Sequence, residues 1–145
     1  MKADRTHIAF AVVLALTCVT AAAAEITGVV MKVTSGDTLL FDTGRERFNV
    51  KLAEVTAPPA QTALADRSRA SLASLCYAQG ATLVVTGTAL DGGTIAQVSC
   101  AGRDAAQEQV RRGFAKLNEP FAHADSLLSS AEREARSSRM GVWAD

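Results

Sequence analysis

The sequence predicts an α+β fold, a small five-stranded β-barrel decorated with helices. Three observations carry this. Residues 25 to 55 form three β-rich, alternating segments joined by tight turns. A Pro-Pro pair then opens an Ala- and Leu-rich segment with helical spacing, followed by two more strand-like segments. The last third is helical in pattern. The chain has 145 residues, enough for one compact domain around one core. Aromatic residues make up only 5%, so Leu, Val, Ile and Ala must fill that core.

Each element has a local reason. Glu25 to Val33 reads EITGVVMKV, rich in β-branched residues, and Ser35-Gly36-Asp37 turns the chain. TLLF follows, then a second turn at Thr43-Gly44. RFNVKLAEV is the third strand, alternating through Phe48, Val50 and Leu52 and running on to Val55. These three strands make a meander. Pro58 and Pro59 end it, and proline is compatible with the first turn of a helix. That helix spans Ala60 to Tyr77, with Leu64, Leu72 and Leu75 on one face and Gly80 as its stop.

ATLVVTGTA is the fourth strand, Asp91-Gly92-Gly93 a turn, and TIAQVSC the fifth strand. Asp104, three residues before Gln107, resembles a capping box. The short helix it opens buries Val110 and ends at Gly113. Asp125 is placed to cap a last helix that turns Leu127, Leu128, Ala131 and Ala135 inward, with Gly141 as its end. Met140, Val142 and Trp143 are expected to fold back, the tryptophan as a core plug. The order β-β-β-α-β-β, then helices, fits a Greek-key barrel of the oligonucleotide-binding (OB) type.

Residues 1–24 read as a signal peptide and 25–145 as the mature domain. Lys2 and Arg5 precede an apolar run from Ile8 to Val19, and Ala22 and Ala24 satisfy a small-x-small cleavage rule before Glu25. A buried N-terminal helix is the alternative. The mature protein is thus expected in the periplasm or secreted. No second apolar run is long enough to span a membrane. Removing Lys2, Arg5 and Asp4 from totals of 15 basic and 15 acidic residues leaves 13 and 14. Composition therefore does not advertise the phosphate-neutralising excess that drives nonspecific nucleic-acid binding. Cys18 departs with the signal peptide and lacks a lipoprotein context. Cys76 and Cys100 remain, an even pair in an exported chain, where a disulfide is permitted. Two small buried hydrophobes are the alternative.

Five stretches in order resemble the thermonuclease family, the homologues of staphylococcal nuclease. They are VTSGDTLLF (33–41), VKLAEVTAPP (50–59), TIAQV (94–98), GRDAAQEQVRRGFAKL (102–117) and AEREARSSRMGVWAD (131–145). The similarity covers nearly all of the mature chain. It implies a five-stranded OB barrel with three helices, and calcium-dependent hydrolysis of DNA and RNA phosphodiesters.

The family's site is carried over only in part. Its first calcium-binding aspartate falls on Asp37, which is present. Its first catalytic arginine falls on Lys51, its second metal-binding aspartate on Thr56, and its water-orienting glutamate on Pro59. Its second arginine falls on Gly93 or is lost with the short 91–93 turn. Phosphodiester cleavage gathers charge on the phosphoryl oxygens, which a divalent cation and guanidinium groups stabilise. Calcium takes six to eight hard oxygens. Here one carboxylate remains, Thr56 offers only a neutral hydroxyl, and Pro59 has no side-chain oxygen to act as a base. Lys51 keeps a charge without the bidentate fork of arginine.

Other candidates are few. In a regular strand Glu54 points away from the side Lys51 serves, and a bulge would reverse this. Asp42 and Asp91 sit in turns, where aspartate commonly caps its own backbone. His123, the one histidine of the mature chain, stands beside an expected helix start with a surface role as its default. No His/Cys/Asp cluster has zinc spacing. Ser35 lacks a nucleophile-elbow context. Asp37 has a bland reading too, since Ser-Gly-Asp-Thr makes a good turn.

Asp37, Lys51 and Thr56 therefore stand as a remnant site, and Arg45, Arg47 and Lys51 as candidate phosphate contacts. The expectation is a non-catalytic barrel without a metal cofactor, acting as a structural module or binding an oligonucleotide or a protein. The alternative is a divalent-metal nuclease with a rebuilt site that uses calcium.

Overall fold

The computed structural model describes residues 22–119, 121 and 126–145. Residues 1–21, most of the stretch expected to be a signal peptide, together with His123 and Asp125, lie outside the described residues. The barrel strands are β1 (Glu25–Val33), β2 (Thr38–Asp42), β3 (Arg47–Leu52), β5 (Gly80–Thr88) and β6 (Thr94–Cys100). β2 lies between β1 and β3, and β1 pairs on its other side with β5, all antiparallel. β5 pairs with β6, and β6 closes the barrel by running parallel to β3, with Val50 opposite Thr94 and Leu52 opposite Ala96. A closed five-stranded barrel with three helices is the OB architecture the sequence predicts.

The inside of the barrel follows from the period-two pattern. Val30, Leu39, Phe41, Val50, Leu52, Leu83, Ala96 and Val98 are essentially inaccessible to solvent. Helix α1 (Ala63–Cys76) closes one side with Leu72 and Leu75, and α2 (Ala105–Arg111) adds Val110. Burying such side chains contributes about 1.5–3 kcal/mol each, which is why the pattern decides the fold. Gly28 lies where no side chain fits, since a Cβ there would sit 2.3 Å from the carbonyl oxygen of Asp42.

Several elements differ from the sequence expectation. The third strand does not run to Val55. It stops at Leu52, the chain turns at Ala53-Glu54 with Glu54 at φ 69°, and Val55–Thr56 restarts as β4. β4 pairs with β8 (Lys116–Leu117), a partner far along the chain with no local signal. A two-residue strand, β7 (Arg103–Asp104), also escapes the pattern. Helix α1 starts at Ala63 because the Thr62 hydroxyl accepts the Ala65 N–H. It ends at Cys76, before Ala78 turns left-handed at φ 57°; Gly80 belongs to β5. Asp104 does cap α2, its carboxylate accepting the Gln107 N–H at 2.8 Å.

The last helix, α3 (Leu127–Ser137), is capped by Ser126 in a reciprocal box with Ser129, one residue beyond the expected Asp125. Leu127 is 75% exposed, while Ala131 and Ala135 are buried and Leu128 packs partly on the core. The inward face is thus narrower than the spacing implied. α3 ends at Ser137, ahead of Gly141. Gly141 instead opens a single 3-10 turn (Gly141–Trp143), and Val142 N–H donates to Gly113 O at 2.8 Å. Both glycines have positive φ, and a Cβ on Gly113 would lie 2.2 Å from the Met140 oxygen. Trp143 is half-buried rather than a core plug. The Arg136 guanidinium lies 4.1 Å and the Lys116 ammonium 4.6 Å from its ring centre.

Cys76 and Cys100 form a disulfide with Cα atoms 5.2 Å apart. It joins the C-terminus of α1 to the end of β6, and both residues are completely buried. Among the described residues no helix is long and apolar enough to cross a membrane.

Candidate functional site

Asp37 sits in the turn between β1 and β2 and is only 7% exposed. One carboxylate oxygen accepts the hydroxyls of Ser35 (2.7 Å) and Thr38 (2.9 Å). The other accepts the Ala57 N–H at 2.9 Å, across twenty residues of chain. Its carbonyl oxygen accepts the Leu52 N–H at 2.8 Å. Asp37 therefore ties its own turn to the end of β3 and to the segment before Pro58.

The turn is braced from below as well. Gln109 of α2 is fully buried, and its side-chain NH2 donates to Gly36 O at 2.8 Å and to Ser68 O at 3.0 Å. A Cβ at Gly36 would lie 1.7 Å from the Ser68 hydroxyl oxygen, so this turn and α1 are in direct contact. Sequence reasoning missed Ser68 and Gln109. Their only signal is a polar residue on an inward helical face.

Backbone contacts bring the three remnant residues near one another, since Asp37 accepts the N–H of Leu52, next to Lys51, and that of Ala57, next to Thr56, but the side chains of Lys51 and Thr56 line different hollows. Lys51 lines a cleft of about 810 Å³ bounded by the end of β3, the 53–54 turn, the end of β5 with the turn after it, and Ile95 of β6. Thr56 lines a separate, more apolar groove of about 430 Å³ with Pro58 and Pro59. Asp37 lines neither. The Thr56 hydroxyl donates to the side-chain oxygen of Asn118, a short contact that closes β4 against the chain after β8. Pro59 carries no polar group into the groove. Gly93 closes a turn in which the Asp91 carboxylate accepts its N–H at 3.0 Å, the self-capping role expected of Asp91.

The basic candidates also separate. Arg45 is exposed in the turn between β2 and β3. Arg47 is held there by Asp42, Nε to carboxylate at 2.6 Å. Arg47, and after it the Gly44 N–H, hold the Asp42 carboxyl below its ordinary value of 3.8. Lys51 shares the face of Arg47 on β3 but lies about 13 Å further along the strand.

Glu54 departs most from expectation. The turn at 53–54 breaks the strand parity on which its outward orientation rested, and Glu54 lines the same cleft as Lys51. Asp91 and Asn118 line it too, and nothing local in the sequence marks Asn118.

A calcium ion, used by thermonucleases, needs several hard oxygens around one point. Among the described residues no three His, Cys, Asp or Glu side chains gather to hold a metal ion. Asp37 already accepts three internal hydrogen bonds, and Thr56 has turned its hydroxyl to Asn118. The residues present do not fit calcium, and no reaction step is derived through it.

Comparisons with known proteins agree with this architecture. The family model described as "Staphylococcal nuclease homologue" matches residues 49–145. An "Uncharacterized endonuclease" of Haemophilus influenzae is 31% identical over 117 residues, covering 80% of this chain and 65% of that protein. The chain thus spans just under two thirds of that relative's length. The "Micrococcal nuclease" of Shigella flexneri is 29% identical over 135 residues, 84% of this chain and 76% of that one. "Protein ParB" of Escherichia coli is 26% identical over 132 residues, 84% and 75% of the two chains. The matching region runs from β3 through the barrel closure, α2 and α3 to the last residue, so the chain belongs to the staphylococcal nuclease homologue family.

Proposed function

We propose that this protein is an exported, non-catalytic barrel of the family that serves as a binding module. The observation that carries the reading is the use of Asp37. The carboxylate that resembles a calcium ligand instead accepts the Ser35 and Thr38 hydroxyls and the Ala57 N–H. The other positions support it, since Thr56, Pro59 and Gly93 supply no second carboxylate, no water-orienting base and no guanidinium. Lys51 alone stabilises little of the charge that builds on a phosphoryl group.

The test is a fluorogenic DNA or RNA substrate with calcium, magnesium or manganese, run beside thermal melts in the same ions. The expected result is no turnover, and a melting temperature unmoved by millimolar calcium. A ligand bound only to the native state would have to raise it. Turnover abolished by Asp37→Ala would overturn the reading. The second reading, a metal-dependent nuclease with a rebuilt site, is favoured by the names of the Haemophilus and Shigella relatives, and the same assay decides it.

Export rests on the basic, apolar and small-residue order of residues 1–24 and is consistent with the Cys76–Cys100 disulfide. N-terminal sequencing of protein recovered from a periplasmic or secreted fraction is expected to begin at Glu25. An intact Met1 on cytosolic protein would contradict it.

A further inference from the structure

The cleft that holds Lys51 has the charge of a site for cations. Among the described residues Lys51 is its one basic lining residue, and two acidic residues, Glu54 and Asp91, line it as well. No ion pair joins Lys51 to either one, and among the described residues the Glu54 carboxylate has no hydrogen-bond or ion-pair partner, while its backbone oxygen accepts the Asn118 N–H at 2.8 Å. Glu54 is also held at φ 69°, a conformation that glycine adopts without strain and glutamate does not. The strained turn presents a carboxylate to the cleft where a regular strand would have turned it away. A phosphodiester entering here meets more negative than positive charge, the reverse of a nucleic-acid groove.

The rest of the lining is mostly apolar. Ile95 and Ala53 line it, and Leu90 stands at its edge, fully exposed to solvent. Asn118 gives its side-chain oxygen to Thr56, which leaves its NH2 to donate to a ligand. An apolar wall, an amide donor and two carboxylates outside any ion pair together suit an extended peptide with aliphatic and basic side chains. The aliphatic groups pack on Ile95 and Leu90, a backbone carbonyl accepts from Asn118, and a lysine or arginine pairs with Glu54.

We infer that this cleft docks a basic peptide segment of a protein partner rather than a nucleic acid. The inference rests on the binding-module reading and names its partner class.

The test is calorimetric titration of the folded protein with three probes. These are a blocked heptapeptide of alternating leucine and lysine, its leucine–glutamate counterpart, and an eight-nucleotide single-stranded DNA. The lysine peptide is expected to bind at least tenfold more tightly than the other two, and less tightly as salt rises. The double variant Glu54→Gln, Asp91→Asn should weaken it at least tenfold. Asparagine at 91 retains the oxygen that accepts the Gly93 N–H, so the turn survives. Lys51→Ala should not weaken it. Equal or tighter binding of DNA or of the glutamate peptide, or lysine-peptide binding untouched by the double variant, overturns the proposal. DNA bound without cleavage would sink the peptide occupant and leave the non-catalytic reading standing. Cleavage in the metal assay would sink the non-catalytic reading, whichever probe binds best.

Discussion

Reduction of the Cys76–Cys100 bond is expected to lower the stability of the barrel by about 3 kcal/mol. The bond spans a sequence separation of 24 residues, enclosing β5 and β6. Opening it returns the loop entropy of that segment to the unfolded chain. The native geometry already brings the two ends together, because Ala81, just after α1, is paired with Cys100 across the sheet. Reduced protein should therefore keep the same fold with a lower unfolding midpoint. Urea unfolding with and without a phosphine reductant measures this, with a fall in midpoint between about 1 and 3 M. The double variant Cys76→Ala, Cys100→Ala should behave as the reduced protein does, with some added cost from lost packing. Both sulfurs are buried, so reduction of the native protein should be slow until denaturant is added. A midpoint shift below about 0.3 M would show that the crosslink adds nothing to the folded chain.

Asp37→Ala is expected to destabilise the metal-free protein by about 3 kcal/mol. It removes the acceptor for two hydroxyls and for the partly buried Ala57 N–H, and detaches the β1–β2 turn from the segment before Pro58. Asp37→Asn should cost only about 1 kcal/mol. Its oxygen can face the Ala57 N–H, while its NH2 donates to the Ser35 and Thr38 hydroxyls, which rotate to accept. The contrast separates a brace from a metal ligand. A carboxylate that served only to hold an ion would cost little to remove in the ion's absence. If Asp37→Ala leaves the calcium-free urea midpoint unchanged or raises it, the bracing role is wrong.

Much of the barrel is legible in the sequence because its signals are local. Alternation places Leu39 and Phe41 on one face of β2, and Val50 and Leu52 on one face of β3, and any register that buries them gives these strands. The β6 bounds follow from TIAQVSC alone, and the α2 cap follows from an aspartate three residues before a glutamine. Thr62 and Ser126 cap α1 and α3, where the sequence suggests a start at Ala60 and a cap at Asp125. Leu127 misled because its spacing suits the inward face, while its place in the first turn of α3 leaves it beyond the core.

The site divides in the same way. Which chemical groups the chain lacks is a property of the sequence: no rearrangement makes a carboxylate of Pro59 or a guanidinium of Gly93. What the remaining groups do was decided by tertiary contact. In the sequence Asp37 is a turn residue first and a metal ligand second, and its actual task is set only when Ala57, twenty residues on, donates to it. Glu54 reads as an outward-facing charge until β4 pairs with β8, more than sixty residues away, and the strand breaks at Ala53-Glu54 to allow it. Alternation along a strand describes only its own backbone, whereas a long-range pairing can halt that strand and turn its next side chain into a cleft.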